Sequence, residues 1–472
     1  MDSVKRFLNR GWVLVLVLFA CLGVGVVIYA TRWGAALSDD SYTYIHVARD
    51  LLAGRASTVN PHFPPFLSLV LTLPGLAGVD PWVGIRWVNA LLFGVNIILV
   101  GLILRRMTDS SVIALIGGLG ALLSTNLVEA HSWAMSEPLF ITLILLGWLV
   151  YVKSEQPLSS SRAVLLGLCF GLAAFTRYIG VAVLLAGGLT LVIADLKRKH
   201  WNWKNWVLYS LAGAAPLLLW SLWAFLLADR APTRVIAWHP LTPDLLRAGL
   251  NTVLLWFFPG RLVHGKELIW LAVLVLSGLG VWALSRWLLR RAPHLDHPGY
   301  DLGVWSAASY LVVLAVSRSL VDAAIPMDSR LLAPLWVIVL ILLVALGGQL
   351  WMSGRWVMRI ACLGLLAVVL VTNGTRTAQT VASYHELGRG YASARDHISE
   401  TYAYLRRDPQ IPIYSNAAAA IYFWTGIEAM SIPSSSGVEA MKADMQKRGA
   451  YLVVFKSIPV SLYGVTEEDL IR

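Results

Sequence analysis

The sequence predicts an all-α polytopic membrane bundle of about eleven transmembrane helices followed by a small C-terminal extracytoplasmic α/β domain. Three observations predict it. The 472 residues are 57% hydrophobic and only 14% charged, and repeated apolar runs are long enough to cross a hydrocarbon core of roughly 30 Å. Lys and Arg gather in small clusters at the ends of those runs. Beyond residue 372 the apolar runs give way to short segments that alternate between strand-like and helix-like character.

Taken in order, the spans fall near 11-30, 82-104, 111-126, 136-152, 162-176, 178-195, 205-227, 267-289, 302-319, 331-349 and 356-372. Residues 1-30 have the outline of a signal peptide, with Lys5, Arg6 and Arg10 before an apolar stretch. That stretch is of spanning length and more spans follow, so it reads as an uncleaved first helix. Alternate connections carry Arg105 and Arg106, Lys153 and Arg162, Lys197 to Lys204, Arg286 to Arg291, and Arg355 with Arg359. The positive-inside rule assigns those connections to the cytoplasm, with the N-terminus inside and the C-terminus outside an inner (plasma) membrane. The domains expected are therefore 1-372, spanning the membrane, and 373-472, outside it.

The stretch 60-79 is apolar, but Pro64, Pro65 and Pro74 interrupt it, leaving an uninterrupted piece too short to cross. It is placed along the outer surface, within a first outer loop of 31-81. That loop opens with a helix near 41-53, on which Ile45, Ala48 and Leu52 share a stripe and which Gly54 ends. A second outer loop, 228-266, contains Pro232, Pro240, Pro243 and Pro259 and reads as long and irregular. In the C-terminal stretch, IPIYSN, AAAAIYFWTG, EAMSIP, VEAMKADMQKRG and AYLVVF alternate as strand, helix, strand, helix and strand.

Composition also narrows function. The formal charge of +11 is dispersed among span ends rather than gathered in a basic domain, so it marks topology and not a nucleic-acid partner. Cys21, Cys169 and Cys362 all lie in apolar runs without metal-type spacing. No phosphate-cradling glycine loop, HExxH or GxSxG elbow occurs, which removes motif support for nucleotide-driven transport and the common hydrolase chemistries.

Two adjacent carboxylates, Asp39 and Asp40, stand where the chain leaves the first span. As plain structure, Asp39 caps the following helix and Asp40 favours its positive end, each on the order of 1 kcal/mol. As chemistry, a carboxylate fixed at the outer interface acts as a general base on an acceptor hydroxyl. Adjacent helical residues diverge in direction, so one of the two is expected to meet the acceptor.

The run from Asp39 and Asp40 through Tyr42, Tyr44, Ala48, Arg49, Leu51, Leu52 and Gly54, then Pro64-Pro65-Phe66-Leu67 and Arg86-Trp87-x-Asn89-Ala90, resembles the first-loop signature of GT-C-type integral membrane glycosyltransferases. These include the ArnT-like, protein O-mannosyltransferase-like and arabinofuranosyltransferase-like groups. The resemblance continues through MSEPLF at 135-140, GLAAFTRYIG at 171-180, DSRLLAPL at 328-335 and IPIYSNAAAAIYFWTG at 411-426, and so covers most of the chain. It implies transfer of a sugar from a polyprenyl-phosphate donor to an envelope lipid, glycan or protein at the outer face, with Asp39 as base and Asp40 in support. Many ArnT-like members carry Lys just before the two prolines, whereas this chain has Phe63, with His62 one position earlier.

Outer-facing guanidinium groups suit a departing phosphate, because they bind its oxygens in a bidentate way and stabilise growing charge. Arg330 and Arg177 stand in family-like contexts and are the donor-phosphate candidates, together with His62; the plain alternative for both arginines is snorkelling to the headgroups. Glu137 precedes Pro138 at the start of a span, which suits capping as well as a polar contact to substrate. Tyr42, Arg49, Arg86, Trp133, Trp238 and His239 complete the substrate-binding candidates, against a default of interfacial aromatic belts. The reaction implied is a single displacement with inversion. The two adjacent acids could hold a divalent cation, but a hard cation needs several oxygen ligands and the sequence identifies only these, so no metal or other cofactor is assigned.

Two other classes compete. A lipid or solute transporter would place ionisable residues around a midplane cavity and show inverted repeats, and no such repeat is visible. An inactive relative that binds a lipid-linked glycan is opposed only by the retained Asp39.

Overall fold

The computed structural model describes residues 2-55, 63-154, 157-199, 201-227, 236-263, 265-267, 269, 271-272, 297-322, 325-352, 356-407, 410-456, 458-460 and 465-471. Helix α1, Asp2–Ala30, carries the first apolar run. It ends at Thr31, whose hydroxyl donates back to the Val27 carbonyl (2.6 Å). The first connection then folds into α2, Asp39–Leu52, and α3, Phe66–Leu76. Pro74 sits inside α3, which with 11 residues reaches only about 16 Å and cannot cross a bilayer.

The bundle continues with α4 (Pro81–Thr108), α5 (Ser111–Leu122), α6 (Thr125–Ser132), α7 (Glu137–Val152) and α8 (Ser160–Thr176). A short 3-10 turn at Tyr178–Gly180 leads into α9 (Val181–Arg198), and α10 (Trp203–Leu227) follows. Next come α11 (Pro243–Leu254), α12 (Gly260–Val263), α13 (Pro298–Leu320), α14 (Ala333–Met352) and α15 (Trp356–Leu387).

The count of eleven spans is not reached among the described residues, where six helices are long and apolar enough to cross a membrane. The number rises to seven if α5 and α6, bent by 54°, are taken as one broken span. Two physical reasons account for most of the difference. Helices α7 and α8 are apolar but short, at 16 and 17 residues, and the span expected at 267-289 falls mostly outside the described residues. The span expected at 111-126 instead breaks after Leu122 and resumes as α6, because Ser124 caps α6 through the Leu127 N–H and also takes a hydrogen bond from Trp336 Nε1 (2.7 Å).

The second loop is also less irregular than its prolines suggest. Pro243 takes the first turn of α11, where its missing N–H costs nothing, and Thr242 caps that helix through the Leu245 N–H.

The core lies between α4, α7, α8, α13 and α14, around the fully buried Trp148, Trp336, Tyr151, Tyr310 and Phe140. Against lipid there is no hydrophobic force to pair helices, so close backbone approach does that work. A Cβ on Gly171 of α8 would lie 2.3 Å from the Gly213 carbonyl of α10, which is why those two helices meet through glycine. On the far side of α10, Leu211, Leu218, Leu219 and Phe225 stay exposed, as a lipid-facing surface requires.

Helix α15 runs unbroken through residue 373 before the chain enters its C-terminal unit. After α16 (Ala394–His397) and α17 (Glu400–Leu405) come β1 (Ile413–Ser415), α18 (Ala418–Thr425), β2 (Met430–Ser431), α19 (Val438–Arg448), β3 (Tyr451–Val453) and α20 (Glu467–Ile471). The strands form one parallel sheet in the order β2-β1-β3, with Tyr414 opposite Met430 and Ile413 opposite Tyr451. Helices α18 and α19 are its crossovers, which is the strand and helix order read from the sequence.

Candidate active site

Helix α2 opens with the paired carboxylates, and its start differs from expectation. Ser38, not Asp39, is the cap: its backbone is extended, its hydroxyl accepts the Ser41 N–H, and Ser41 Oγ accepts the Ser38 N–H (3.0 Å). This reciprocal box begins the helix at Asp39, two residues earlier than its apolar stripe indicates. The physical consequence is that neither aspartate is needed as a cap. Both sit in the first turn, where the helix dipole favours their charge.

The two side chains face different neighbours. Asp39 Oδ1 accepts a hydrogen bond from the Tyr391 hydroxyl (3.0 Å) at the entrance to the C-terminal unit. Asp39 is exposed, yet the protein mass around its carboxyl raises its pKa above the ordinary 3.8, an effect opposed by the Tyr391 bond. Asp40 lies within electrostatic reach of Arg177, Glu137 and Arg330. Its pKa is raised chiefly by burial, with Arg177 and Arg330 opposing and Glu137 and Asp39 adding to the rise.

Behind Asp40 is a buried polar cluster. Arg177 follows α8 in an extended conformation, and its Nη1 meets Glu137 Oε1 at 2.7 Å and donates to Ser136 Oγ (3.1 Å). Ser136 shares a further hydrogen bond with Tyr44 of α2 (3.1 Å). Burial pushes the Tyr44 phenol up to about 12, so it stays protonated at neutral pH. Glu137 Oε2 is buried and has no hydrogen-bond partner among the described residues.

Arg330 occupies a more open position. It stacks over Trp133 (4.7 Å to the ring centre) and touches Asp328 through Nη2 (3.4 Å), while its buried Nη1 has no hydrogen-bond partner among the described residues. It lines a cavity of about 230 Å³ with Trp133, Glu129, Ser329, Tyr384 and Arg389. Ser329 donates to Glu129 (2.6 Å), so that carboxylate is held in the wall.

The first connection joins these parts through backbone. Ala36 pairs with Trp133, and Leu37 pairs with Gly390, so the strand leading to Asp39 lies between the α6–α7 link and the C-terminal unit. Asp39, Asp40, Arg177, Glu137, Arg330 and Trp133 therefore share one end of the bundle.

The remaining candidates lie elsewhere or serve the scaffold. Arg49 forms a two-pronged pair with Asp80 (3.0 Å each) and lies over the Tyr422 ring. Tyr42 stacks on His46 and meets Tyr422 edge-on, which joins α2 to α18. Arg86 donates to Thr31 Oγ1 (3.1 Å) and the Ile28 carbonyl (2.9 Å), tying α4 to the end of α1. The backbone at His239 pairs with Ser319 beyond the site, and the Trp238 side chain there is 71% exposed. His62 lies outside the described residues.

Sequence reasoning missed Tyr391, Tyr44, Ser136, Glu129, Ser329, Tyr384 and Arg389. Ser136 and Ser329 sit inside MSEPLF and DSRLLAPL, and Tyr44 within the first-loop run, so their signal was present. Tyr391 and Arg389 had none, because only the fold returns them to the first loop.

A family model described as dolichyl-phosphate-mannose-protein mannosyltransferase matches residues 50–235. The crystal structure of ArnT from Cupriavidus metallidurans bound to undecaprenyl phosphate is similar, with a TM-score of 0.57 and 15% identity over 97% of this chain and 95% of that chain. The chain has the fold of that ArnT structure. ArnT from the same organism in the apo state aligns over the same shares at 16% identity with a TM-score of 0.49. No curated protein matches the chain. That fold is the one implied by the first-loop residues, and the six helices long and apolar enough to cross a membrane among the described residues make the chain a multi-pass membrane protein.

Proposed function

We propose that this GT-C protein transfers a sugar from a polyprenyl-phosphate donor to an acceptor hydroxyl in the cell envelope, at the outer face of the plasma membrane, with inversion at the sugar carbon. The observation that carries the reading is the convergence of Asp39, Asp40 and Arg330 at one end of the bundle, beside a cavity with a buried guanidinium N–H left over. The similar ArnT structure holds undecaprenyl phosphate, which supports a lipid phosphate as the donor's leaving group. The placement of Arg105 and Arg106 at the opposite end of α4 from Asp80 supports the outward orientation of the site.

In this reading Asp39 takes the acceptor proton as the oxygen attacks, and the burial that raises its pKa makes it a stronger base than an open carboxylate. Arg330 receives the phosphate through its free Nη1 and stabilises the charge that grows as the bond to the sugar breaks. Arg177, already engaged by Glu137, sets the potential at Asp40 rather than reaching for the phosphate. Trp133 and Tyr384 line the cavity that receives the sugar.

The test is incubation of the purified protein with a panel of polyprenyl-phosphate sugars and envelope extract, with mass analysis of the products. Asp39→Asn is expected to bind the carrier lipid and fold normally while losing transfer. Undiminished transfer by that variant removes Asp39 from its role, and lipid movement between vesicle leaflets without a new glycosidic product favours a transporter instead.

A further inference from the structure

Tyr391 stands just past α15, in the segment that leads into the C-terminal unit. Its main chain is held twice without help from its side chain: the Tyr391 N–H donates to the Leu37 carbonyl (3.0 Å), and its own carbonyl accepts from Trp424 Nε1 (2.7 Å). Gly390 makes the approach possible. Its φ is +56°, and a Cβ there would lie 2.0 Å from the Leu37 oxygen. The Tyr391 ring packs against both the bundle core and the C-terminal core. With the backbone tethered and the ring packed, the hydroxyl is not needed to dock the segment. It is nonetheless directed at Asp39 Oδ1 (3.0 Å).

We propose that Tyr391 is a positioning residue of the transfer site: its hydroxyl holds one oxygen of Asp39 and leaves the other directed at the acceptor. The proposal rests on the reading of Asp39 as general base. It gives the C-terminal unit a part in the chemistry beyond covering the bundle. The side-chain hydrogen bond that orients Asp39 is the one from Tyr391, and a base must lie within hydrogen-bond reach of its proton in a defined direction. The charged and titratable groups around Asp39 are Tyr391 from the C-terminal unit and Asp40 on its own helix, with Arg177, Glu137 and Arg330 grouped around Asp40.

The sign of the pH effect follows. The phenol stabilises the ionised carboxylate, so its removal raises the Asp39 pKa further above 3.8, and the acid limb of kcat/KM moves to higher pH. Tyr391→Phe keeps the ring and both backbone bonds. It is expected to lower kcat about tenfold, the scale of one hydrogen bond to a charged group, with the donor KM unchanged. Installing 3-fluorotyrosine at position 391 gives a stronger donor of nearly the same shape, and the acid limb is expected to move to lower pH.

An acid limb that stays fixed in both variants overturns the proposal, whether or not kcat falls. If Tyr391→Phe does not fold, the fluorotyrosine protein alone decides by the direction of its shift. Asp39→Asn run in parallel separates the two failures. Full activity there sinks the base assignment itself, whereas an inactive Asp39→Asn beside an unshifted Tyr391→Phe sinks only the role of the tyrosine.

Discussion

Arg330 and Arg177 carry the same charge at the same end of the bundle, but their neighbours give them different work. Arg177 Nη1 is engaged by Glu137 at 2.7 Å and Ser136 at 3.1 Å, and the arginine's field acts on Asp40. Arg330 keeps a buried Nη1 without an acceptor among the described residues, and a buried donor left unpaired costs about 1–3 kcal/mol until something accepts from it. A donor phosphate does so in the proposed reaction. Arg330→Ala is therefore expected to raise the donor KM at least about tenfold, measured by steady-state transfer at varied donor. An unchanged KM would remove Arg330 from donor binding. Both arginines were legible as candidates from DSRLLAPL and TRYIG, but nothing in either motif says which one keeps a free donor.

At the scale of elements, what decides the site is how helices begin. The Ser38 and Ser41 box starts α2 at Asp39, and Ser136 precedes Glu137 at the start of α7. These two starts and the break after α8 bring Tyr44, Ser136, Glu137 and Arg177 into one cluster. Glu137→Gln leaves Arg177 buried without its counter-charge, a loss of about 3 kcal/mol by the usual cost of breaking a buried pair from one side. A lowered melting temperature in detergent is the expected outcome, and wild-type melting would show the pair to be dispensable. The boundaries read from the sequence erred at the same kind of place. Apolar periodicity marks a helix where it buries side chains, whereas the first turn of α2 is polar and carried by a cap, and the break within 111-132 depends on Trp336 from a distant helix.

For the whole molecule, the C-terminal unit and the first loop are one structure. Helix α18 packs Tyr422 and Phe423 against Tyr42 of α2, His46 Nδ1 lies 3.2 Å from the Tyr422 hydroxyl, and Gly390 pairs with Leu37. Gly390→Ala forces a side chain onto the Leu37 carbonyl. It is expected to release the segment around Tyr391, exposing it to protease and abolishing most transfer while the helix content measured by circular dichroism stays the same. Retained transfer would show that this strand pairing is not required. The bundle, the alternation of strand and helix at its end and the acidic start of the first loop were determined by the sequence alone, because bilayer length, alternation and motif spacing are local properties of the chain. Which carboxylate meets Tyr391, which arginine keeps one buried nitrogen without an acceptor among the described residues, and that residues 389-391 return to residue 37 were decided by the tertiary structure. Those outcomes depend on groups hundreds of positions apart becoming neighbours, and no local pattern encodes that distance.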